Sequence, residues 1–253
     1  MAYVDILGHP TWVTVGTEKD PTVLLLHGGL SNSDVLLDAM GAQLGESYRV
    51  AAFDRRGHGR TADTDAPFHY AAMADETIAF LEQLGGPAHL IGWSDGGNVG
   101  LLVAMRRPDL VGRLVVIGSN YHHDGLLPLP TDDDSPLLEM LLESYGERSP
   151  DGADHFGDVV GKTLTMFATE PELTVDDLRR VSVPVLVLVG DDDAIALSHT
   201  CSLYESIPGA QLAVVPGASH TLPMEQPEET VRIINRFVTG DATPTTLMPI
   251  RRA

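Results

Sequence analysis

The stretch Gly92-Trp93-Ser94-Asp95-Gly96 constrains this chain more than any other. It follows the short apolar run Ala88-His89-Leu90-Ile91 and precedes Gly97 to Arg107, a segment rich in helix-compatible Leu, Val, Ala and Met. The run reads as a buried parallel strand and the segment as a helix, so Ser94 falls on a tight strand-to-helix turn. Such a turn strains the serine backbone and brings strand and helix into close approach, which only residues without a side chain permit; Gly92, Gly96 and Gly97 meet that need. A five-residue pattern also recurs by accident, so the rest of the chain decides whether the serine is reactive or incidental.

The surrounding segments alternate as an α/β protein does. Tyr3 to Leu7 and Thr11 to Gly16 form a hairpin-like start around Gly8-His9-Pro10, and Thr22 to Leu26 and Arg49 to Phe53 are dense strands with a helix, Asp34 to Gln43, between them. Tyr70 to Leu84 is an amphipathic helix closed by Gly85-Gly86-Pro87. Arg113 to Ile117, Val183 to Val189 and Gln211 to Val215 supply further strands; helices follow around Leu203 and from Pro227 to Val238. Right-handed crossovers then leave a mostly parallel, eight-stranded sheet flanked by helices as the economical solution. The rhythm lapses from Tyr121 to about Arg180, where Pro128, Pro130, Asp132-Asp133-Asp134 and Pro136 precede helical stretches. The expected organisation is a core over 1–120, a helical lid insertion over 121–180, the second part of the core over 181–240 and a loose tail over 241–253.

Across the 253 residues, 43% hydrophobic and 21% charged is a soluble globular balance, and no apolar run approaches the roughly 20 residues that span a bilayer. Met1 to Pro10 lacks a basic stretch followed by an apolar one, so a cytoplasmic location is the expectation. A formal charge of −20 argues against nucleic acid and anionic membranes as partners and favours cations, or reflects a solvated acidic surface. The oligomeric state is not readable. The single cysteine, Cys201, excludes an intrachain disulfide and is expected to be a small buried hydrophobe in a helix.

Chemistry-bearing residues cluster just beyond the predicted strands. His27-Gly28-Gly29-Leu30-Ser31 is a glycine loop with uncovered N–H groups, suited to an oxyanion hole built from the Asp95 N–H and a second donor, Gly29 first and Leu30 second. Ser94, an acid at 191–193 and His220 follow in the order Ser, Asp, His. A hydroxyl is a poor nucleophile until a neutral imidazole accepts its proton, and a carboxylate holds that imidazole in the right tautomer. Asp54 and His58 also pair an acid with a histidine, but within one tight turn, Asp54 to Arg60, where side chains satisfy loop backbone; a structural role is preferred. His122, His123 and His155 offer a weak metal case, the adjacent pair being read as lacking a carboxylate or cysteine at ligand spacing, so no metal and no cofactor is expected.

These motifs together closely resemble the α/β-hydrolase superfamily over nearly all of residues 3–238: His27-Gly28-Gly29, Asp54 through Arg60, Gly92 through Gly96, and Gly217-Ala218-Ser219-His220 with Glu225-Gln226-Pro227-Glu228. The resemblance implies a catalytic triad of Ser94, Asp193 and His220. The family's G-x-x-D after the acid strand selects Asp193, although a proline that often follows is Leu197 here. A serine at 94 sets the chain apart from the aspartate-nucleophile dehalogenases and epoxide hydrolases of the same superfamily. Gly92 to Gly97 with Ile117-Gly118-Ser119-Asn120-Tyr121 is similar to the biphenyl-hydrolase-like group that includes valacyclovir hydrolase, which cleaves amino-acid esters. That likeness implies a small-molecule ester substrate in contact with Trp93, Leu30 and Asp95, whose carboxylate would either bind a substrate amine or cap the following helix. A triad-retaining small-molecule receptor, or a C–C hydrolase, lyase, lactonase or perhydrolase, is the alternative on the same fold.

Overall fold

The computed structural model describes residues 1–128, 136–241, 244 and 246–248. The acidic run at 132–134 and most of the tail expected over 241–253 lie outside the described residues. Eight strands, β1 (Ala2–Ile6), β2 (His9–Val15), β3 (Thr22–Leu26), β4 (Arg49–Phe53), β5 (Ala88–Trp93), β6 (Val111–Ile117), β7 (Val185–Asp192) and β8 (Gln211–Ser219), form one sheet in the order β1-β2-β4-β3-β5-β6-β7-β8. The pairs β1·β2 and β2·β4 are antiparallel and all others parallel, in line with the α/β sheet expected from the alternation.

The helical segments in chain order are α1 (Ser33–Leu36), α2 (Ala42–Gly45), α3 (Tyr70–Leu84), α4 (Asp95–Arg106), α5 (Pro136–Arg148), α6 (Phe156–Phe167), α7 (Val175–Leu178), α8 (Leu197–Ser206), α9 (Leu222–Glu225) and α10 (Pro227–Thr239). α1 and α2 are joined by a π-helical turn, Leu37–Gly41, so the single helix expected there is broken in its hydrogen-bond spacing. Two apolar clusters, one on each face of the sheet, form the core. Val23 to Leu26 of β3 are buried on both faces, and each such side chain withdrawn from water contributes roughly 1.5–3 kcal/mol.

The topology positions the site. From β3 the chain moves to β4 on one side and then to β5 on the other, so β3 and β5 are neighbours from which connections depart in opposite senses. Crevices in α/β sheets open at such a switch point, beyond the carboxyl ends of the strands. The loops after β3 and β5 carry Gly28, Gly29 and Ser94. Between β6 and β7 the chain contributes α5, α6 and α7 in place of a simple crossover.

Two local expectations differ from the structure. The last strand does not stop at Val215: past a bulge at Gly190, Asp192 pairs with Ser219, and Asp191 Oδ1 accepts from the Gly217 N–H at 2.7 Å, so the punctuation Pro216-Gly217 lies inside β8. Cys201 lies in α8 as expected but is half-buried, not buried.

Candidate active site

The serine turn is as tight as its glycines suggested. Ser94 sits at φ 54°, ψ −121°, outside the helix that begins at Asp95, and its N–H donates to the Ile117 carbonyl of the neighbouring strand at 2.8 Å. A Cβ on Gly92 would collide with the Gly96 carbonyl, one on Gly96 with the Leu26 carbonyl, and one on Gly97 with the Ser119 hydroxyl. Ser119 Oγ uses the space to donate to the Ser94 carbonyl at 3.0 Å. A non-glycine residue held at positive φ costs of order 1–3 kcal/mol, and here packing from β3, β5 and β6 enforces it.

Ser94 Oγ lies 2.9 Å from His220 Nε2, and His220 Nδ1 lies 2.8 Å from Asp193 Oδ1. Three loops, after β5, β7 and β8, therefore deliver a hydroxyl, a carboxylate and an imidazole in series. Asp193 Oδ1 also accepts from the Ile195 N–H at 2.9 Å, and its side chain is 2% exposed. Of the other two acids at the end of β7, Asp192 is exposed, whereas Asp191, though exposed, anchors the Gly217 turn that leads to His220. Glu225 braces the same loop from α9, accepting from Ser219 N–H and Oγ and from Thr221 Oγ1 at 2.7–3.0 Å. These bonds to the charged form hold its carboxyl below the usual range. Trp93 Nε1 donates to the His220 carbonyl at 2.7 Å, a further restraint on the histidine.

A cavity of ≈ 170 Å³ opens over Ser94, lined by Gly28, Gly29, Leu30, Tyr70, Trp93, Asp95, Asn120, Leu126, Phe167, Glu170, Ile195 and His220 among others. All seven candidate site residues read from the sequence are brought to this one place except Asp193, which stands behind His220. Gly29 must lack a side chain, because a Cβ there would come within 2.5 Å of Asp95 Oδ2 and 3.0 Å of Phe167. Leu30 takes φ 55°, an uncommon left-handed conformation for a side-chain-bearing residue. The glycine loop is fixed from below by Arg55, which is 1% exposed and donates to the carbonyls of His27 and Gly28 at 2.7 and 3.0 Å. His27 Nε2 accepts from the Arg55 N–H, and burial with the adjacent Arg55 charge keeps its imidazole neutral, far below its ordinary pKa.

Asp95 is buried at 3% exposure, yet it faces the cavity. Its Oδ1 accepts from Tyr70 OH at 2.7 Å, so its side-chain hydrogen bond goes to α3 and not to the N–H groups of its own helix. Its Oδ2 is buried with no partner among the described residues. Burial pushes its carboxyl up, against the opposing influence of the Arg55 charge and the Tyr70 hydroxyl. Burial and the Asp95 charge together push the Tyr70 phenol well above its ordinary value, leaving it a neutral donor. Sequence reasoning missed Tyr70, Phe167 and Glu170. Glu170, with Oε2 accepting from the Tyr70 N–H at 3.0 Å and Oε1 2.5 Å from His69, is a second carboxylate at the cavity wall. None of these has a local signal, since Tyr70 opens α3, Phe167 closes α6 and Glu170 follows it, all distant from Ser94 in the chain.

The turn from Asp54 to Arg60 does structural work. Asp54 is fully buried and accepts from Ser33 N–H, Ser33 Oγ and Arg60 N–H at 2.6–2.8 Å, tying β4 to α1, while His58 packs between His27 and Phe68.

The model of the alpha/beta hydrolase family matches residues 23–233, a span that contains every element described around Ser94. The chain belongs to that family. Among its relatives, RutD of Caulobacter sp. (strain K31), which carries a provisional carbamate-hydrolase name, is 27% identical over 252 residues, covering 90% of this chain and 94% of that protein. The human serine hydrolase BPHL is 25% identical over 240 residues, covering 87% of this chain and 80% of its own length. A solved serine hydrolase involved in carbazole degradation, the CarC enzyme, superposes with a TM-score of 0.77 at 22% identity, covering 94% of this chain and 97% of that one, which speaks for the fold alone. In the described residues no helix is long and apolar enough to cross a membrane.

Proposed function

We propose that the protein is a serine hydrolase of small carboxylic esters, acting through Ser94, His220 and Asp193, with a preference for esters that carry an ammonium group near the acyl carbon. The observation that carries the proposal is the unbroken series Ser94 Oγ, His220 Nε2 at 2.9 Å, His220 Nδ1 to Asp193 Oδ1 at 2.8 Å, ending on a serine held at φ 54° in the floor of a cavity. His220 takes the hydroxyl proton as Ser94 Oγ attacks the ester carbonyl. The oxyanion is met by the N–H groups of Asp95 and Gly29, and the alcohol leaves with the proton returned by His220. Water, deprotonated by the same imidazole, then cleaves the acyl-enzyme, and Ser94 recovers its proton. Asp193, bonded to both His220 and the Ile195 N–H, holds the imidazole with Nε2 toward Ser94.

The substrate class rests on Asp95. A carboxylate beside the oxyanion opposes charge development there unless it meets a cation. Asp95 lines that cavity and its buried Oδ2 has no partner among the described residues; the Arg55 charge offsets part of the carboxylate's, and a substrate ammonium reaching Oδ2 supplies the missing partner. The cavity of ≈ 170 Å³ over Ser94 has room for the acyl group of a small ester. The segment 121–180, which contributes Leu126, Phe167 and Glu170 to the wall, acts as the lid over it.

The test is a panel containing an α-amino ester, its des-amino analogue and the matching carbamate, run on wild type, Ser94→Ala and Asp95→Ala. Ser94→Ala loses turnover by several orders of magnitude and is not labelled by a fluorophosphonate probe. Asp95→Ala loses about tenfold or more for the amino ester alone, the size of one charge-assisted contact. Labelling of Ser94→Ala equal to wild type overturns the nucleophile. Equal loss for the amino and des-amino esters overturns the amine subsite, and a carbamate turned over in preference to both esters overturns the ester assignment.

A further inference from the structure

We infer that His122, His123 and Asp124 form a binding site for one transition-metal dication, with Zn²⁺ the best match to their donors. The three residues offer two imidazole nitrogens and a carboxylate oxygen that all lie within 4.8 Å of one another. Both Nδ1 atoms face the same carboxylate, His122 at 3.4 Å from Asp124 Oδ2 and His123 at 3.2 Å from Asp124 Oδ1. Bonds of roughly 2.0–2.2 Å in a tetrahedral shell set neighbouring donors about 3.3–3.6 Å apart, close to these spacings; because the spacings run to different oxygens, one ion takes both oxygens of the carboxylate, and it displaces the Asp124 N–H that His122 Nδ1 accepts at 3.3 Å. The rings lie side by side with centroids 4.3 Å apart and planes inclined by 30°.

The turn that carries them is held at both histidines. His123 N–H donates to the Pro171 carbonyl at 2.7 Å, the His122 carbonyl accepts from Gly125 N–H and Asn120 Nδ2 at 3.0 Å each, and the His123 carbonyl accepts from Leu126 N–H at 3.1 Å. The backbone thus needs no rearrangement to present its side chains together. Two imidazoles with one carboxylate favour Zn²⁺, Ni²⁺ or Cu²⁺ over Mg²⁺ and Ca²⁺, which take oxygen donors. The rings are 32% and 27% exposed, leaving a further position for water. None of the three residues lines the cavity over Ser94, although Asn120 and Leu126, on either side of them, do. The site is therefore separate from the proposed ester chemistry and stands without it.

The experiment is calorimetric titration of the full, tag-free, chelator-treated chain with ZnCl₂, with MgCl₂ as the oxygen-preferring control. Wild type is expected to take up one equivalent of Zn²⁺ and no Mg²⁺, and its thermal midpoint to rise with Zn²⁺ concentration. His122→Ala, His123→Ala and Asp124→Asn each bind at least about tenfold more weakly, since losing even an outer-sphere partner costs about 10–100-fold. Asp124→Asn keeps the size of an exposed side chain, so its loss of binding does not come from misfolding. Wild type that takes up no Zn²⁺, or a His122→Ala/His123→Ala double variant that binds as wild type does, overturns the site.

Discussion

Asp191, Asp192 and Asp193 are placed differently because a bulged strand end points each one elsewhere. Asp193 turns inward to His220, Asp192 outward to solvent, and Asp191 along the sheet to the Gly217 N–H. Asp193→Asn is therefore expected to lower kcat by about 10⁴, the cost of leaving the imidazole in the wrong tautomer. Asp192→Asn should stay within a factor of about two of wild type, being solvated. Asp191→Asn weakens the anchor of the His220 loop and should fall between the two, with loss in kcat and in thermal stability together. Steady-state kinetics with one ester decides, and a crippled Asp191→Asn beside an active Asp193→Asn would reverse the assignment. At this scale Ser94 and His220 were legible because each sits in a local glycine pattern just past a strand. The choice among the three acids was not, since one residue of strand register decides it, and only family spacing pointed to Asp193. Tyr70, bonded to Asp95 across 25 residues, left no local trace. Asp124, by contrast, lies next to His123 in the chain, so the carboxylate beside the histidine pair is legible there.

Elements bounded by strong punctuation were read to the residue. β3 and β4 run over Thr22–Leu26 and Arg49–Phe53, and α3 spans Tyr70–Leu84, ending at Gly85 in the left-handed conformation that glycine favours. The π turn at Leu37–Gly41 and the extension of β8 past Pro216 were not legible, because tertiary pairing, not propensity, produces them. The turn from Asp54 to Arg60 carries a testable consequence of its burial. His58 lies within it, and burial with the neighbouring Arg55 charge lowers its pKa from 6.5 to about 3. The folded chain then refuses a proton that the unfolded chain accepts. His58 stabilises the fold in full above pH 6.5, and that contribution drains away as pH falls toward the folded value. Between pH 8 and pH 5 the loss from this one group is about 2 kcal/mol. His58→Gln removes the titration, so its unfolding free energy should fall by about 2 kcal/mol less than that of wild type over the same interval. Urea unfolding at the two pH values measures the difference, and parallel losses in the two proteins would place the acid sensitivity elsewhere. Comparing the two proteins is necessary because burial raises the pKa of Asp54, Glu76 and Asp95, whose contributions are present at low pH and are lost as pH rises, opposite in sign to that of His58.

Over the whole molecule the dominant property is charge, 36 acidic against 16 basic side chains. The segment 121–180 shares the excess, and its Glu170 joins Asp95 at the wall of the cavity. A cleft lined by carboxylates concentrates cations near its mouth and repels anions, an effect carried by solvent-screened charges and so dependent on ionic strength. If the substrate carries an ammonium, two separable contributions act on it: the local contact with Asp95 Oδ2, which is buried and weakly screened, and long-range attraction, which is exposed and strongly screened. Raising ionic strength from 0.01 to 0.15 M shortens the Debye length from about 30 to 8 Å and removes most of the second while leaving the first. For the α-amino ester, kcat/KM should then fall, by up to about tenfold, the low end for charge-lined clefts. For the des-amino ester it should hardly change, and Asp95→Ala should keep the salt dependence of the amino ester while losing its overall advantage. Stopped-flow or steady-state rates across a sodium chloride series resolve the two. An amino ester whose kcat/KM is indifferent to salt in wild type would show that the charge of −20 is a solvated surface without a role in substrate capture.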